Sequence, residues 1–164
     1  MDIKDEARGD EAVIRAVTKA AFAPMGFSDG TEQDVTDALR DRGELVVSLV
    51  AVEAGEVLGH VAFSKVEIDG ADVGWYGLGP VAVWPAHQRR GIGIALIEAG
   101  LSRLRDLGAK GCALTGDPGY YCRFGFQNNC GLTYGAVNTK YVQGLAFSGA
   151  IPKGALQFSE AFGE

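Results

Sequence analysis

The spacing of apolar and polar positions divides the chain into two opening helices, a run of strands, and then a strand–helix–strand unit. A first short strand is expected at residues 3–6. Over residues 10–22, Ala12, Val13, Ala16, Val17, Ala20 and Ala21 recur on one side of a helix. Over residues 31–42, Val35, Ala38 and Leu39 form a narrower stripe, and Gly43 stops that helix. Residues 45–53 (LVVSLVAVE) are almost continuously apolar, as in a buried strand. Ala54-Gly55 marks a turn, and residues 57–68 read as the hairpin partner. After Asp69-Gly70, residues 75–83 form a third long strand. The middle of the chain is therefore expected to be an antiparallel meander.

A basic, glycine-bearing loop (WPAHQRRGIG) follows that third strand. Beyond it, Ile94, Ile97, Leu101 and Leu104 repeat at helical spacing, and Gly108 closes the helix. Residues 111–115 (GCALT) form a short strand, so the strands before and after this helix should be parallel neighbours. Asp117 is suited to cap a helix, Pro118 to begin it and Gly125 to follow it, which brackets a short helix over residues 118–124. The tail is glycine-rich, with strand-like runs at residues 141–147 and 155–159. No linker or repeat divides the chain, so residues 1–164 read as one domain.

Composition narrows the function classes. The chain has 24 glycines, where average usage of about 7% would give about 12. Turns, bulges and close backbone approaches are expected in number. Cys112, Cys122 and Cys130 form no CxxC pair, which suits free thiols in a reducing compartment. The two histidines, His60 and His87, stand apart, and no metal-ligand spacing occurs, so no metal is expected. The net charge of −6 argues against a nucleic-acid surface. No leader pattern and no apolar run long enough for a membrane helix is present, so a cytoplasmic location with no membrane partner is expected.

The basic loop carries the chemistry. It ends at a helix N-terminus, where the first backbone N–H groups lack intrahelical partners. Those donors and the helix dipole favour an anion. Arg89 and Arg90 lie just before that positive pole, each disfavoured by about 0.3–1 kcal/mol with nothing bound. A pyrophosphate would reverse the sign. A GxxxxGK[ST] loop is absent. A dinucleotide fingerprint needs a third glycine where Leu96 stands, and the loop is too long for its tight turn. What remains is a Q/RxxGxG/A loop, matched by Gln88, Gly91 and Gly93.

QRRGIG, followed some thirty residues later by YYCRFGF, resembles the GNAT N-acetyltransferase superfamily in the form of its YhbS-like branch. The order of the elements agrees over residues 3–126, and the ending KYVQGLAFSGAIPKGALQFSEAF is similar too. The resemblance implies an α/β fold: a mixed, mostly antiparallel sheet, V-shaped between its fourth and fifth strands and flanked by helices. It implies acetyl-CoA as co-substrate and direct attack on its thioester by the amine of a small-molecule or peptide acceptor. The pyrophosphate would lie on the amides of Arg90, Gly91, Ile92, Gly93 and Ile94, beside Gln88, with Arg89 or Arg90 adding charge. Gly79 and Pro80 suggest a bulge that leaves the N–H and C=O groups of Val81 and Val83 free. The pantetheine arm would pair along Val81, Ala82 and Val83, where an N–H would polarise the thioester carbonyl. Tyr121, four residues before Gly125-Phe126, would return a proton to the leaving thiolate, with Tyr120 as second choice.

Other residues admit plainer roles. Asp117 reads as a cap rather than a catalyst, although many superfamily members place there an asparagine that contacts pantetheine. His60 reads as a satisfied polar residue of a strand. Cys122 reads as packing. Glu53, Glu67 and Asp72 are candidates for a general base by location alone, and none is assigned. The acidic run Asp29, Glu32, Asp34, Asp37 and Asp41 reads as a solvated face, with selection of cationic amines as the sharper alternative. A homodimer is compatible with this reading. A catalytically silent acyl-CoA-binding module on the same fold is the rival, and it differs at Tyr121 and in turnover.

Overall fold

A computed structural model describes residues 1–26 and 28–163. The chain opens with β1 (Asp2–Asp5), α1 (Glu11–Phe22) and α2 (Glu32–Asp41). The meander follows as β2 (Leu45–Glu53), β3 (Glu56–Lys65), the two-residue β4 (Glu67–Ile68) and β5 (Trp75–Val83). Next come α3 (Ile92–Asp106), β6 (Gly111–Thr115) and α4 (Pro118–Tyr121). The chain ends with β7 (Gln127–Asn128), β8 (Leu132–Thr133), β9 (Val142–Ala146) and β10 (Gly154–Gln157). The main sheet has seven strands in the order β1-β2-β3-β5-β6-β9-β7, and β4-β10-β8 form a second, smaller sheet. Among these pairs, β5–β6 and β8–β10 are parallel and the rest antiparallel.

Alternation along the strands sends Val47, Leu49, Val61 and Phe63 to one face, where they pack against Leu96, Ile97, Leu101 and Leu104 of α3. The expected stripe is met at Ile97, Leu101 and Leu104, whereas Leu96 takes the place expected for Ile94, which is only half-buried and lines a cleft. A second cluster around Trp75, Ala113, Leu132, Val142 and Leu156 joins the main sheet to the small one. The small sheet explains a correction: the expected strand over residues 57–68 is interrupted at Val66, because β4 leaves β3 to pair with β10.

Helix α1 needs a second correction. Its buried residues are Ile14, Val17, Thr18 and Ala21, whereas Ala12 and Ala16 are exposed. Alanine is tolerated on either side of a helix, so the branched apolar side chains Ile14 and Val17 decide which side faces the sheet. The acidic residues of α2 face Arg15 of α1: its guanidinium lies 2.6 Å from Asp34 and 3.1 Å from Asp37. Arg40 reaches Asp37 at 2.9 Å and also forks onto Glu6, just beyond β1, at 2.9 and 3.0 Å.

That fork begins a chain of polar contacts. The Ser48 hydroxyl donates to the Glu6 carboxylate, and His60 Nε2 lies 2.8 Å from the same hydroxyl. An ionised carboxylate only accepts, so the serine proton is committed to Glu6 and His60 Nε2–H must donate to Ser48. His60 is fully buried, and its Nδ1 finds no partner. Expectation is therefore met at one ring nitrogen only. Burial pushes the His60 pKa down to about 4, with Glu6 opposing and Arg40 reinforcing the fall. Burial raises the Glu6 pKa, but hydrogen bonds from Arg40 and Ser48 outweigh it, and the net shift is downward.

Two stability predictions follow from this packing. A Cβ on Gly100 would lie 2.1 Å from the ring of the fully buried Phe63. Gly→Ala in a helix ordinarily gains up to ~1 kcal/mol, but overpacking costs about 1–3 kcal/mol. Gly100→Ala is expected to destabilise, read as a lower urea midpoint; an unchanged or raised midpoint would refute the contact. The second concerns pH. His60 binds its proton less well folded than unfolded, so between about pH 6.5 and 4 the unfolded chain holds more protons and stability falls as pH falls. The full effect is on the order of 3 kcal/mol. His60→Gln is expected to flatten that acid arm in denaturant titrations at pH 7, 6, 5 and 4; equal slopes in the two proteins would contradict it.

Candidate active site

The site begins where the parallel pair β5–β6 stops. Its register runs Trp75–Gly111, Tyr76–Cys112 and Gly77–Ala113, and no further. On the other side β5 stays paired with β3, but the register slips: Val61 faces Val81, while Phe63 faces Leu78. Gly79 and Pro80 together oppose Ala62, which is the bulge that the glycine and proline suggest. Gly79 sits at φ +135°, a conformation that side-chain-bearing residues rarely adopt. The two strands therefore diverge into a V.

The edge exposed in the V can be read from hydrogen-bond alternation. Trp84 N–H donates to the Leu58 carbonyl of β3 at 3.0 Å. Ala82, two residues earlier, faces β3 in the same sense, so the polar groups of Val81 and Val83 point into the gap. One expected group is not free. The Val83 carbonyl accepts from the Gln88 side chain at 3.0 Å. Gln88 thus ties the start of the loop to the end of the strand.

After a single 3-10 turn at Pro85–His87, the loop passes Arg89 at φ +65° and Gly91 at φ +81°. Helix α3 then starts at Ile92 with no side chain capping it. Its first N–H groups, on Ile92, Gly93 and Ile94, lack helical partners and open on the V. Arg89 lines that opening, whereas Arg90 does not; its guanidinium lies 2.9 Å from His87 Nδ1. Of the two expected cations, only Arg89 is placed at the cradle.

The far wall is α4 and the 3-10 turn Cys122–Phe124 that continues it. Asp117 caps α4, accepting from Gly119 N–H at 2.9 Å, and Gly125 ends the turn at φ +99°. Tyr121 packs edge-on against Phe126 and Tyr120. Burial raises its pKa to about 12, so the hydroxyl keeps its proton at neutral pH. Tyr120 points elsewhere: its hydroxyl lies 3.4 Å from where a Cβ on Gly93 would sit, over the start of α3. The sequence reading missed Arg123, which stacks 4.4 Å over the Tyr120 ring and donates to the Tyr120 carbonyl at 2.8 Å. It missed Ala21, Phe22 and Met25 too, at and just beyond the end of α1. These residues, with both tyrosines and the cradle, enclose a cleft of about 620 Å³. A separate, more open groove of about 820 Å³ runs between Asp10, Glu56 and Trp84 and contains neither tyrosine.

The Acetyltransferase (GNAT) family model matches residues 14–126, which spans both walls of this cleft. The chain belongs to that family. It is 34% identical over 128 residues to YhbS of Escherichia coli strain K12, an uncharacterized N-acetyltransferase, covering 77% of this chain and 71% of that protein. A GNAT acetyltransferase from Brucella melitensis, solved in complex with acetyl-CoA, superposes with a TM-score of 0.89 at 50% identity, covering 98% of this chain and 97% of the other. The structure of Escherichia coli YhbS with CoA gives a TM-score of 0.89 at 29% identity over 99% and 92% of the two chains.

The base candidates do not reach the cleft. Glu53 and Glu56 face each other at the β2–β3 turn, Glu67 pairs with Gln157, and Asp72 lies 3.8 Å from Lys65. No carboxylate is among the cleft's described lining residues. Cys122 is exposed with its thiol turned to the Gly119 carbonyl. Among the described residues no cluster of three metal-ligating side chains occurs, and no helix is long and apolar enough to cross a membrane.

Proposed function

We propose that this protein moves an acetyl group from acetyl-CoA to the amine of a small molecule or peptide by direct attack. One observation carries the proposal: an unpaired strand edge, an uncapped helix N-terminus and a protonated tyrosine share one cleft. The Brucella relative's complex with acetyl-CoA supports the choice of co-substrate.

The pyrophosphate accepts from the N–H groups of Ile92, Gly93 and Ile94, and Arg89 adds charge. The pantetheine arm pairs with the β5 edge through the polar groups of Val81 and the N–H of Val83, since the Val83 carbonyl is held by Gln88. An N–H of that edge polarises the thioester carbonyl, and its hydrogen bond strengthens as negative charge develops on the oxygen. The amine nitrogen bonds to the carbonyl carbon, the C–S bond breaks, and sulfur takes the Tyr121 proton; the nitrogen sheds one proton to water as the amide forms, and the tyrosinate recovers one from water. With no carboxylate lining the cleft, the amine arrives unprotonated or loses its proton to water. A silent acyl-CoA-binding module has no use for a buried, ionisable hydroxyl at this point, which favours the enzyme.

Two measurements test this reading. Coenzyme A at a hundred times its Kd should add about 2.7 kcal/mol of stability, seen as a raised melting temperature, while NAD adds none. Gly93→Val should abolish the rise, because Tyr120 and Val83 already stand 3.4 and 3.9 Å from the first added carbon. An unmoved wild-type melting curve removes the cofactor assignment. Once a panel of amines identifies an acceptor, Tyr121→Phe should lower kcat by about 10²- to 10⁴-fold, with coenzyme A binding little changed. Undiminished turnover would remove Tyr121 as the proton donor.

A further inference from the structure

Gln143 is a fully buried amide in β9. It stands opposite Leu114 of β6, on the face that packs Phe126 and Tyr121. Burying an amide is unfavourable unless its polar atoms are bonded, and here the carbonyl end, Oε1, has no partner. A leucine or methionine would fill the space without leaving an orphan acceptor. The amide's other end makes one contact: Nε2 donates to the Gly116 carbonyl at 2.9 Å.

Gly116 is the joint between β6 and α4. Its N–H is also bound to this part of the chain, donating to the Tyr141 carbonyl at 3.0 Å. Both polar groups of the joint are thus held by one short segment. The joint is also the seat of Tyr121: a Cβ on Gly116 would lie 2.7 Å from Cε2 of the tyrosine ring. The ring rests on bare backbone, and where that backbone stands sets how far the hydroxyl reaches into the V. The next residue, Asp117, starts and caps α4.

We infer that Gln143 is a positioning residue for the Tyr121 hydroxyl, acting through the Gly116 carbonyl. The inference rests on the proposed role of Tyr121 as proton donor beside the sulfur of the co-substrate. Without the Nε2 bond, the Gly116 carbonyl has no donor from β9, the joint is held only through its N–H, and the tyrosine ring loses a fixed seat. Gln143 touches neither the co-substrate cradle nor the β5 edge, so binding of coenzyme A is spared.

The test follows tyrosine carbons labelled at Cζ by NMR during titration with coenzyme A. Of the five tyrosine signals, that of Tyr121 is assigned by its loss in Tyr121→Phe. In the wild type it should move on addition of coenzyme A. In Gln143→Leu and Gln143→Met, coenzyme A should bind with Kd within about threefold of wild type, while the Tyr121 response falls to less than a third or spreads over several positions. With an acceptor in hand, kcat should fall at least about tenfold at unchanged KM for acetyl-CoA. Gly116→Ala, with Gln143 intact, displaces the ring from its other side and should disturb the same signal. A wild-type Tyr121 response in the Gln143 variants overturns the inference, as does an undisturbed signal in Gly116→Ala or a general loss of coenzyme A binding. A wild-type signal indifferent to coenzyme A overturns the role of Tyr121 itself, and with it the role of Gln143.

Discussion

The architecture depends on the parallel ladder between β5 and β6 ending after Gly77–Ala113. Parting two strands in the middle of a sheet exposes backbone groups, and such groups must find other partners. The parting is not fraying. Strand β5 remains bonded to β3 along Val81–Val83, and β6 remains bonded to β9 along its whole length. Each strand is held from outside the V. Helix α3 packs on the β3 side and α4 follows β6, so the two helices sit on opposite lips. Gln88 fixes the start of the loop on the Val83 carbonyl, and Gln143 fixes the joint before α4 on the Gly116 carbonyl. The opening is framed by a side-chain amide on each lip.

Local patterns made much of this legible before the fold was seen. The strands at 45–53, 75–83 and 111–115 coincide with the expected ranges, because long apolar runs ended by glycine turns leave little freedom of assignment. The basic loop and the uncapped start of α3 were legible because a loop and the helix that follows it are contiguous. The failures are nonlocal. Strands β4 and β8 have two residues each, too short to show a period, and with β10, which falls in the expected run at 155–159, they form a sheet only because distant segments meet. The polar chain through Arg40, Glu6, Ser48 and His60 draws on four separate segments, so no spacing announces it. The apolar face of α1 was misread because its alanines carry little directional information.

The two adjacent tyrosines show how far a motif reaches. Consecutive residues on a helix project about 100° apart. With Tyr121 turned into the cluster with Phe126, Tyr120 must turn away, and it meets the first turn of α3. The motif names both rings; the docking of α4 against α3 gives them different surroundings. Burial raises both pKa values, but only at Tyr121 does the value rise to about 12, while the Arg123 guanidinium over Tyr120 works against the shift there. Equal chemistry in sequence thus becomes unequal chemistry in the cleft.

Charge is distributed with the same economy of contacts. The chain carries a net −6, a field that repels a polyanion at a distance. Yet Asp34, Asp37 and Glu6 are drawn into ion pairs with Arg15 and Arg40 across α1, α2 and β1. Around the cleft the reverse holds. Arg89 and Arg123 line it on opposite lips, and among the described residues neither has a carboxylate within ion-pair distance. Arg90, just outside, lies 2.9 Å from Nδ1 of His87 rather than beside an acid. The positive end of α3 faces the same space. Solvent screens the distant charges beyond about 8–10 Å, whereas these cations and amides act at contact. An acidic protein can therefore present a cationic cleft, provided that its acids stay out of the lining and the arginines there are left without carboxylate partners, as Arg89 and Arg123 are among the described residues.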